Sequence, residues 1–110
     1  MDQSQIMAQE DERQRLLQKR LTSMGCKAWF QRPPDNKMSY PCFLYRPSRP
    51  FVKNANDKPY IYIPCWNVIY ISKEPDLGIV RRMLEEFSNC GCDREYENDN
   101  LYHYSFTLYF

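Results

Sequence analysis

The segment of residues 60–72 constrains the fold most strongly, because apolar side chains alternate along it on two faces. A strand that is apolar on both faces is typically covered on both sides. Pro64 cannot donate a hydrogen bond to a neighbouring strand, so it indicates an edge position or a bulge. The segment therefore predicts a long strand at the centre of a sheet, bulged at Pro64. Its two alternating sets are Ile61, Ile63, Cys65, Asn67, Ile69 and Ile71, and Tyr62, Pro64, Trp66, Val68 and Tyr70.

Two segments have helical character. Residues 1–25 are rich in good helix formers and lack proline, and Gly25 suits the left-handed position that ends a helix. A second helix is predicted to begin at Pro75-Asp76, with Asp76 as its cap. The apolar stripes expected on the two helices are Leu16, Leu17, Leu21 and Met24, and Leu77, Val80, Leu84 and Phe87 with Met83 beside them.

The remaining strands are shorter. Residues 26–31 and 40–46 are strand candidates, separated by a proline-rich turn at residues 32–36. Residues 47–59 contain three prolines, and we interpret them as a long loop, which is often functional or mobile. Two closing strands are predicted at residues 90–96 and 101–110. In the last strand we expect an inward face of Tyr102, Tyr104, Phe106, Leu108 and Phe110, and a half-solvated face of Leu101, His103, Ser105, Thr107 and Tyr109.

The element order α-β-β-β-α-β-β predicts an α+β fold. We expect a mostly antiparallel sheet of about five strands with two helices packed on it. The 110 residues suffice for one domain spanning residues 1–110. The most apolar stretch is too short to cross a membrane, and the N-terminus has no apolar signal core. We therefore expect no membrane association. The 5 cysteines are an odd number in a chain without a signal, so we expect reduced thiols in a cytosolic setting.

The residues that could carry chemistry do not form a known pattern. Cys90 and Cys92 lack the second ligand pair that structural zinc needs, and His103 is the only histidine available to a triad. We therefore predict no enzyme, no catalytic residue, no metal and no cofactor. Acidic residues at every second position should share one face of the strand that begins at residue 90, and no calcium loop is indicated; they are Asp93, Glu95, Glu97 and Asp99.

Charge is distributed unevenly along the chain. Residues 1–59 hold 11 basic and 6 acidic residues, whereas residues 60–110 hold 4 basic and 8 acidic residues. Such a chain can associate head to tail, with a positive surface of one copy against a negative surface of the next. Ordinary surface charge and nucleic-acid contact by residues 46–58 are the alternatives. The candidate interface residues are Arg46, Arg49, Lys53, Lys58, Asp93, Glu95 and Glu97.

Several short stretches of the sequence stand out together. In chain order they are Tyr40-Pro41-Cys42-Phe43-Leu44-Tyr45, Asn56-Asp57-Lys58-Pro59-Tyr60, Cys92-Asp93-Arg94-Glu95-Tyr96, Asp99-Asn100-Leu101-Tyr102-His103-Tyr104 and Leu108-Tyr109-Phe110. Together they resemble a family of small proteins encoded in the head–tail gene cluster of long-tailed bacteriophages, the tail-terminator or tail-completion proteins. Trp66–Tyr70 stands at the family's central strand, and Lys73-Glu74-Pro75-Asp76 resembles its strand-to-helix turn, although that turn starts with a more acidic residue in the family.

The resemblance covers nearly the whole chain and implies a structural virion protein. Such a protein forms a ring, usually a hexamer, that caps the tail tube and joins it to the head, and it has no catalytic residues. The implied partners are other copies of the chain, the tail tube protein and a head-closure or connector protein, with DNA passing transiently through the ring. The expected location is the head-proximal end of the virion tail, after assembly in the host cytoplasm. The alternatives are another head–tail connector, such as a head-closure or minor capsid protein, and a small nucleic-acid-binding module.

Overall fold

The structure, a computed structural model, describes the backbone of residues 3–31 and 39–110, and side chains for residues 11–31, 39–58 and 61–110. The predicted α+β class and the predicted element order are confirmed. The turn expected at residues 32–36 lies outside the described residues. The elements are α1 (Gln3–Ser23), β1 (Lys27–Phe30), β2 (Cys42–Ala55), β3 (Lys58–Ser72), α2 (Ile79–Glu86), β4 (Cys90–Asn98) and β5 (Leu101–Tyr109).

The five strands form one sheet in the order β1-β2-β3-β5-β4, so β3 is the central strand, as predicted. Three of the four strand pairs are antiparallel, whereas β1 and β2 are parallel, with Lys27 opposite Cys42. The sheet is therefore mixed. Parallel neighbours need a long connection that returns the chain to the same end of the sheet. The chain between Phe30 and Cys42 is that connection.

Both helices lie on one face of the sheet and enclose the core. Leu17 and Leu21 of α1 are fully buried, but Leu16 is half exposed, so only part of the predicted stripe faces inward. Positions four apart lie on the same side of a helix, whereas Leu16 is about 100° around the axis from Leu17. Gly25 has φ +102, as its predicted helix-ending role requires. Neither helix of the described chain is long and apolar enough to cross a membrane.

The helix α2 begins later than predicted, and a different face is buried. Its inward residues are Ile79 and Met83, followed by Phe87 just beyond its end, whereas Leu77 is 92% exposed and Leu84 is half exposed. The predicted stripe was therefore wrong at Leu77 and Leu84, whereas Phe87 is buried and Val80 packs against the core as expected. Residue 77 lies in a turn before the helix, so the four-residue spacing of the buried side chains starts at Ile79.

The loop predicted at residues 47–59 is also wrong, because these residues belong to a β-hairpin. Strand β2 continues to Ala55, and β3 starts at Lys58. Asn56 and Asp57 form the two-residue turn with φ of 53° and 62°, the geometry that matches the twist of a tight hairpin. The hairpin contributes to an elongated molecule with extents of 50 × 27 × 23 Å.

Candidate functional site

The outer part of the β2–β3 hairpin, residues 46–64, extends beyond the neighbouring strands, and we call it the hairpin arm. Pairing of β1 with β2 ends at Phe30 and Tyr45, and pairing of β5 with β3 ends at Tyr109 and Cys65. Within the described chain, no further strand pairs with the arm. The arm is therefore a two-stranded ribbon, a form that is marginally stable in isolation.

Two of the four prolines of the arm, Pro47 and Pro64, stand where a missing N–H costs no hydrogen bond. Successive residues of an antiparallel strand direct their amide groups alternately toward the partner and away from it. The Gln31 N–H donates to the Tyr45 carbonyl at 2.8 Å, and the Phe110 N–H donates to the Pro64 carbonyl at 3.1 Å. The main-chain groups of Tyr45 and Pro64 thus point away from the other strand of the hairpin. Those of Pro47, two residues after Tyr45, point the same way. Both prolines face outward where β1 and β5 have ended.

A bulge lies at Pro64, but the prediction that the central strand itself is bulged there was wrong, because the extra residue is in β2. Ser48 pairs with Cys65 and Phe51 pairs with Ile63, so two residues of β2 oppose the single Pro64. A bulge of this kind bends the bulged strand and increases its twist. It lies at the base of the arm and so sets the direction in which the arm leaves the sheet.

The four predicted basic residues all lie on the hairpin arm with exposed side chains: Arg46, Arg49, Lys53 and Lys58. Asp57 is the arm's one acidic residue. Three exposed apolar side chains also lie on the arm. Sequence reasoning missed Phe51 and Val52 because residues 47–59 were interpreted as a loop, whereas Ile63 was placed on the predicted strand. Phe51 and Ile63 form a cross-strand pair that is 48% and 38% exposed, and Val52 is 42% exposed. Exposed apolar groups among charges are the usual composition of an interface.

The predicted acidic residues lie on β4, an edge strand of the sheet. Asp93, Glu95 and Glu97 are all exposed, as expected, but they do not share one face. Cys92 pairs with Phe106 and Arg94 pairs with Ser105, which leaves Asp93 as an extra residue. This bulge puts Asp93 on the face of Thr107, whose hydroxyl donates to the Asp93 carboxylate.

After the bulge, Glu95 and Glu97 stand opposite Tyr104 and Tyr102, on the face that carries the helices. We call residues 90–99 the acidic edge; it contains four acidic residues and one basic residue, Arg94. The arm extends from β2 and β3, whereas the acidic edge is separated from β3 by β5. The structure therefore keeps the basic and acidic groups on separate parts of one monomer.

Helix α1 braces the base of the arm. The Tyr45 hydroxyl donates to the Gln18 side-chain carbonyl and accepts from Gln14 at 3.0 Å, and the Gln18 amide donates to the Ala28 carbonyl at 2.8 Å. Burial raises the pKa of Tyr45, which keeps the hydroxyl protonated. A cleft of about 190 Å³ lies beside this network, lined by residues of α1, β1 and the arm that include Asp11, Gln14, Phe30, Pro47, Pro50 and Trp66.

His103 and the cysteines are the other residues that the sequence offered for chemistry. The ring of His103 stacks on Tyr96 with centroids 4.7 Å apart. The five cysteines are free thiols, and burial raises the pKa of Cys90 to about 11 and that of Cys92 above its ordinary value. A raised pKa disfavours the thiolate, which is the reactive and metal-binding form. In the part of the chain that the structure describes, no three His, Cys, Asp or Glu residues are grouped as metal ligands.

A polar cluster around Asp76 holds the turn before α2. The prediction of Asp76 as the helix cap was wrong, because Gly78 occupies the N-cap position of α2 and no side chain caps the helix there. The Asp76 carboxylate accepts from the Gly78 N–H at 3.1 Å, the Tyr70 hydroxyl at 2.9 Å and Arg82 at 2.9 Å. The Asp76 N–H donates to the Tyr104 hydroxyl at 3.0 Å. Burial, with Asp76 as a second cause, raises the pKa of Tyr70. These contacts connect the turn to two strands, so the cluster has a structural role.

No family model, no curated protein and no solved structure matches the chain. Its own surfaces therefore carry the functional argument. The two that stand out are the hairpin arm, with four basic residues and exposed apolar side chains, and the acidic edge.

Proposed function

We propose that this chain is a structural virion protein that caps the tail tube of a long-tailed bacteriophage as a ring and joins the tail to the head. The observation that carries the proposal is the separation of a basic arm from an acidic edge on one elongated monomer. The motifs that resemble tail-terminator proteins select this assembly among the possible ones.

Two different complementary surfaces on one chain favour head-to-tail contacts. Such contacts form closed rings when the rotation between successive copies allows it, and open filaments when it does not. The arm brings Phe51 and Val52 to the contact together with its charges. Apolar contact supplies affinity, while charge complementarity orients the partners and speeds their encounter.

The proposed ring has three kinds of partner: neighbouring copies, the tail tube protein on one side and a head-closure or connector protein on the other. DNA passing through the ring would meet basic side chains of the arm only transiently. The role needs no catalytic group, metal or cofactor. This agrees with the raised pKa of the Cys90 thiol, which disfavours a nucleophilic thiolate at neutral pH.

The test is to mix the purified protein with uncapped tail tubes and to count capped ends by electron microscopy. We expect rings on tube ends, and their loss when Arg46, Arg49 and Lys53 are all changed to Glu. A matched control reverses three exposed basic residues of α1, Arg13, Arg15 and Lys19, and should cap tubes like the parent. If the parent never binds tubes, or if the arm variant caps them as well as the parent does, the proposal is wrong.

The basic arm favours a second candidate, a small nucleic-acid-binding module. The arm carries four exposed cations and the exposed ring of Phe51, which suit contact with phosphates and bases. Binding to DNA with a steep salt dependence, without binding to tubes, would select this function. Binding to purified head connectors in preference to tubes would instead indicate a head-closure or minor capsid protein.

A further inference from the structure

We infer that two copies of this chain associate by main-chain pairing, in which the β2 strand of one hairpin arm adds to the β4 edge of a second copy. The geometry of the monomer supports the contact itself, and only the assignment of the contact to a ring on a tail tube rests on the proposed function.

The edge of β4 presents main-chain groups to an incoming strand. The Tyr109 N–H donates to the Asn89 carbonyl at 2.9 Å. The main-chain N–H and C=O groups of Tyr109, and of every second residue before it in β5, therefore point toward β4. His103 is one of these residues and pairs with Tyr96, so the main-chain N–H and C=O of Tyr96 point toward β5. Glu95 and Glu97 accordingly direct their N–H and C=O groups away from the sheet. In the described chain no strand lies beyond them.

The arm presents a matching edge on β2. Pro64 directs its carbonyl toward β5, so the main-chain N–H and C=O of the preceding residue, Ile63, point toward β2. Phe51 pairs with Ile63, so the main-chain groups of Phe51 point toward β3. The next residue, Val52, therefore directs its N–H and C=O outward. Within the described residues β1 ends at Phe30, before this part of β2, and no other strand takes its place.

Charge identifies the partner as a second copy. The arm has four basic residues and one acidic residue, and the acidic edge has four acidic residues and one basic residue. Strand addition to a sheet edge derives affinity from main-chain hydrogen bonds, while the side chains supply specificity. Both edges also have apolar neighbours: Val52 on the arm, and the half-exposed Leu84 on α2, which packs against β4.

Charges and bulges on edge strands also protect monomeric proteins from aggregation. That protection requires charge on each edge but not opposite signs on two edges of one chain. The acidic β4 and the basic arm have opposite signs, which is what pairing between copies requires. A ribbon that is marginal alone would also gain stability from a third strand.

The test uses proline to remove one outward N–H. Val52→Pro should leave the internal ladder intact, because proline is tolerated where the N–H faces away from the sheet. Val52→Ala removes most of the side chain but keeps the N–H. Sedimentation velocity over a concentration series up to the solubility limit should show association of the parent and of Val52→Ala. We expect association at least about tenfold weaker for Val52→Pro, equivalent to about 1.4 kcal/mol. All three proteins should melt at similar temperatures.

A charge exchange tests the identity of the partner strand. Changing Glu95 and Glu97 to Lys should weaken association, and adding Arg49→Glu and Lys53→Glu to the same chain should restore it. A parent that stays monomeric at every concentration overturns the inference, as does a Val52→Pro variant that associates like the parent. The inference is also overturned if the variant that carries all four charge reversals does not recover association.

Tube capping is scored separately, so that the two ideas can fail independently. If the parent associates through this contact but never caps tubes, the pairing stands and the proposed function fails. If Val52→Pro caps tubes as well as the parent does, the pairing fails and the proposed function stands.

Discussion

The guanidinium of Arg20 lies over the ring of Phe87, with 4.6 Å between its central carbon and the ring centroid. The same group forms an ion pair with Glu86 at 3.0 Å and lies 5.2 Å from the ring centroid of Phe110. One side chain of α1 therefore joins the end of α2 to the C-terminal residue. Arg20 connects three segments that are far apart in the sequence.

Replacing Arg20 should lower the free energy of unfolding. The side chains of the ion pair are each 38% exposed, so we expect a partly screened contribution of about 1–2 kcal/mol from the ion pair and the ring contacts together. Arg20→Ala should lose this amount in urea unfolding, and Arg20→Lys should lose less. The control is Arg81→Ala, which breaks the more exposed pair with Glu85 and should cost about 0.3–0.5 kcal/mol. Equal losses for Arg20→Ala and Arg81→Ala would contradict the prediction.

Stability should decline at alkaline pH because of buried thiols. Burial raises the pKa of Cys42 from 9.0 to about 11, with Cys26 as a second cause. The folded chain therefore keeps a proton that the unfolded chain loses above pH 9, so stability is intact below pH 9 and falls as the pH rises toward 11. Burial raises the pKa of Cys90 to the same value, and its contribution has the same sign.

Cys42→Ala tests this assignment in urea unfolding from about pH 8 to about pH 11. It should cost about 1 kcal/mol at neutral pH, where the lost volume dominates, but its stability should decline less steeply with pH. Val68→Ala, at another fully buried position, should cost about 2 kcal/mol at every pH and keep the parent's slope. A Cys42→Ala slope equal to that of the parent would assign the alkaline decline to other groups.

The central strand was predictable because it is apolar on both faces, and nothing else in the chain matches that pattern. The hairpin arm was not, because prolines are usually taken as breakers of strands. Their effect depends on which side of the strand the missing N–H would face. The main-chain nitrogens of Pro47 and Pro64 point away from the other strand of the hairpin. No hydrogen bond is lost there, because the neighbouring strands β1 and β5 have already ended. Such tertiary relationships cannot be read from local sequence.

The candidate surfaces were predictable in composition but not in arrangement. Counting charges indicated opposite signs in the two halves of the chain, and the seven named residues are all exposed. Alternation along β4 predicted one acidic face, but the bulge at Asp93 divides it. The separation of the acidic edge from the arm follows from the strand order, which charge counts do not contain.

The turn at Asp99-Asn100 should stabilise the whole fold, whereas the turn at Asn56-Asp57 should stabilise mainly the hairpin arm. Asn56-Asp57 and Asp99-Asn100 have nearly the same geometry, with all four φ angles between 53° and 62°. Replacing Asn56 or Asp99 by Ala should cost about 1 kcal/mol in each turn, because alanine disfavours left-handed backbone. The second turn adjoins Tyr102, which pairs with Ser72 of the central strand, whereas the first turn lies at the tip of the arm, so Asp99→Ala should lower the free energy of global unfolding. Asn56→Ala should mainly accelerate hydrogen exchange of the arm. Equal global losses would show that the arm unfolds together with the core.

Neighbouring amides on the two interface strands should respond differently to assembly. In the monomer the amide of Val52 faces solvent, whereas that of Lys53, whose partner is Ile61, faces β3. On the acidic edge the amide of Glu95 faces outward and that of Tyr96 faces β5. Exchange of an amide hydrogen requires breaking its hydrogen bond, so only the inward amides should be protected in the monomer.

When copies assemble, the outward amides of Val52 and Glu95 should gain protection and exchange at least about tenfold more slowly. Lys53 and Tyr96 should change less, because their hydrogen bonds exist already. Residue-resolved hydrogen exchange at low concentration and in the assembled state measures all four amides in one experiment. Equal gains for Val52 and Lys53 would indicate general rigidification of the arm. Protection of Val52 in the monomer would show that its outer edge is already paired, which would leave β4 without the strand that we assign to it.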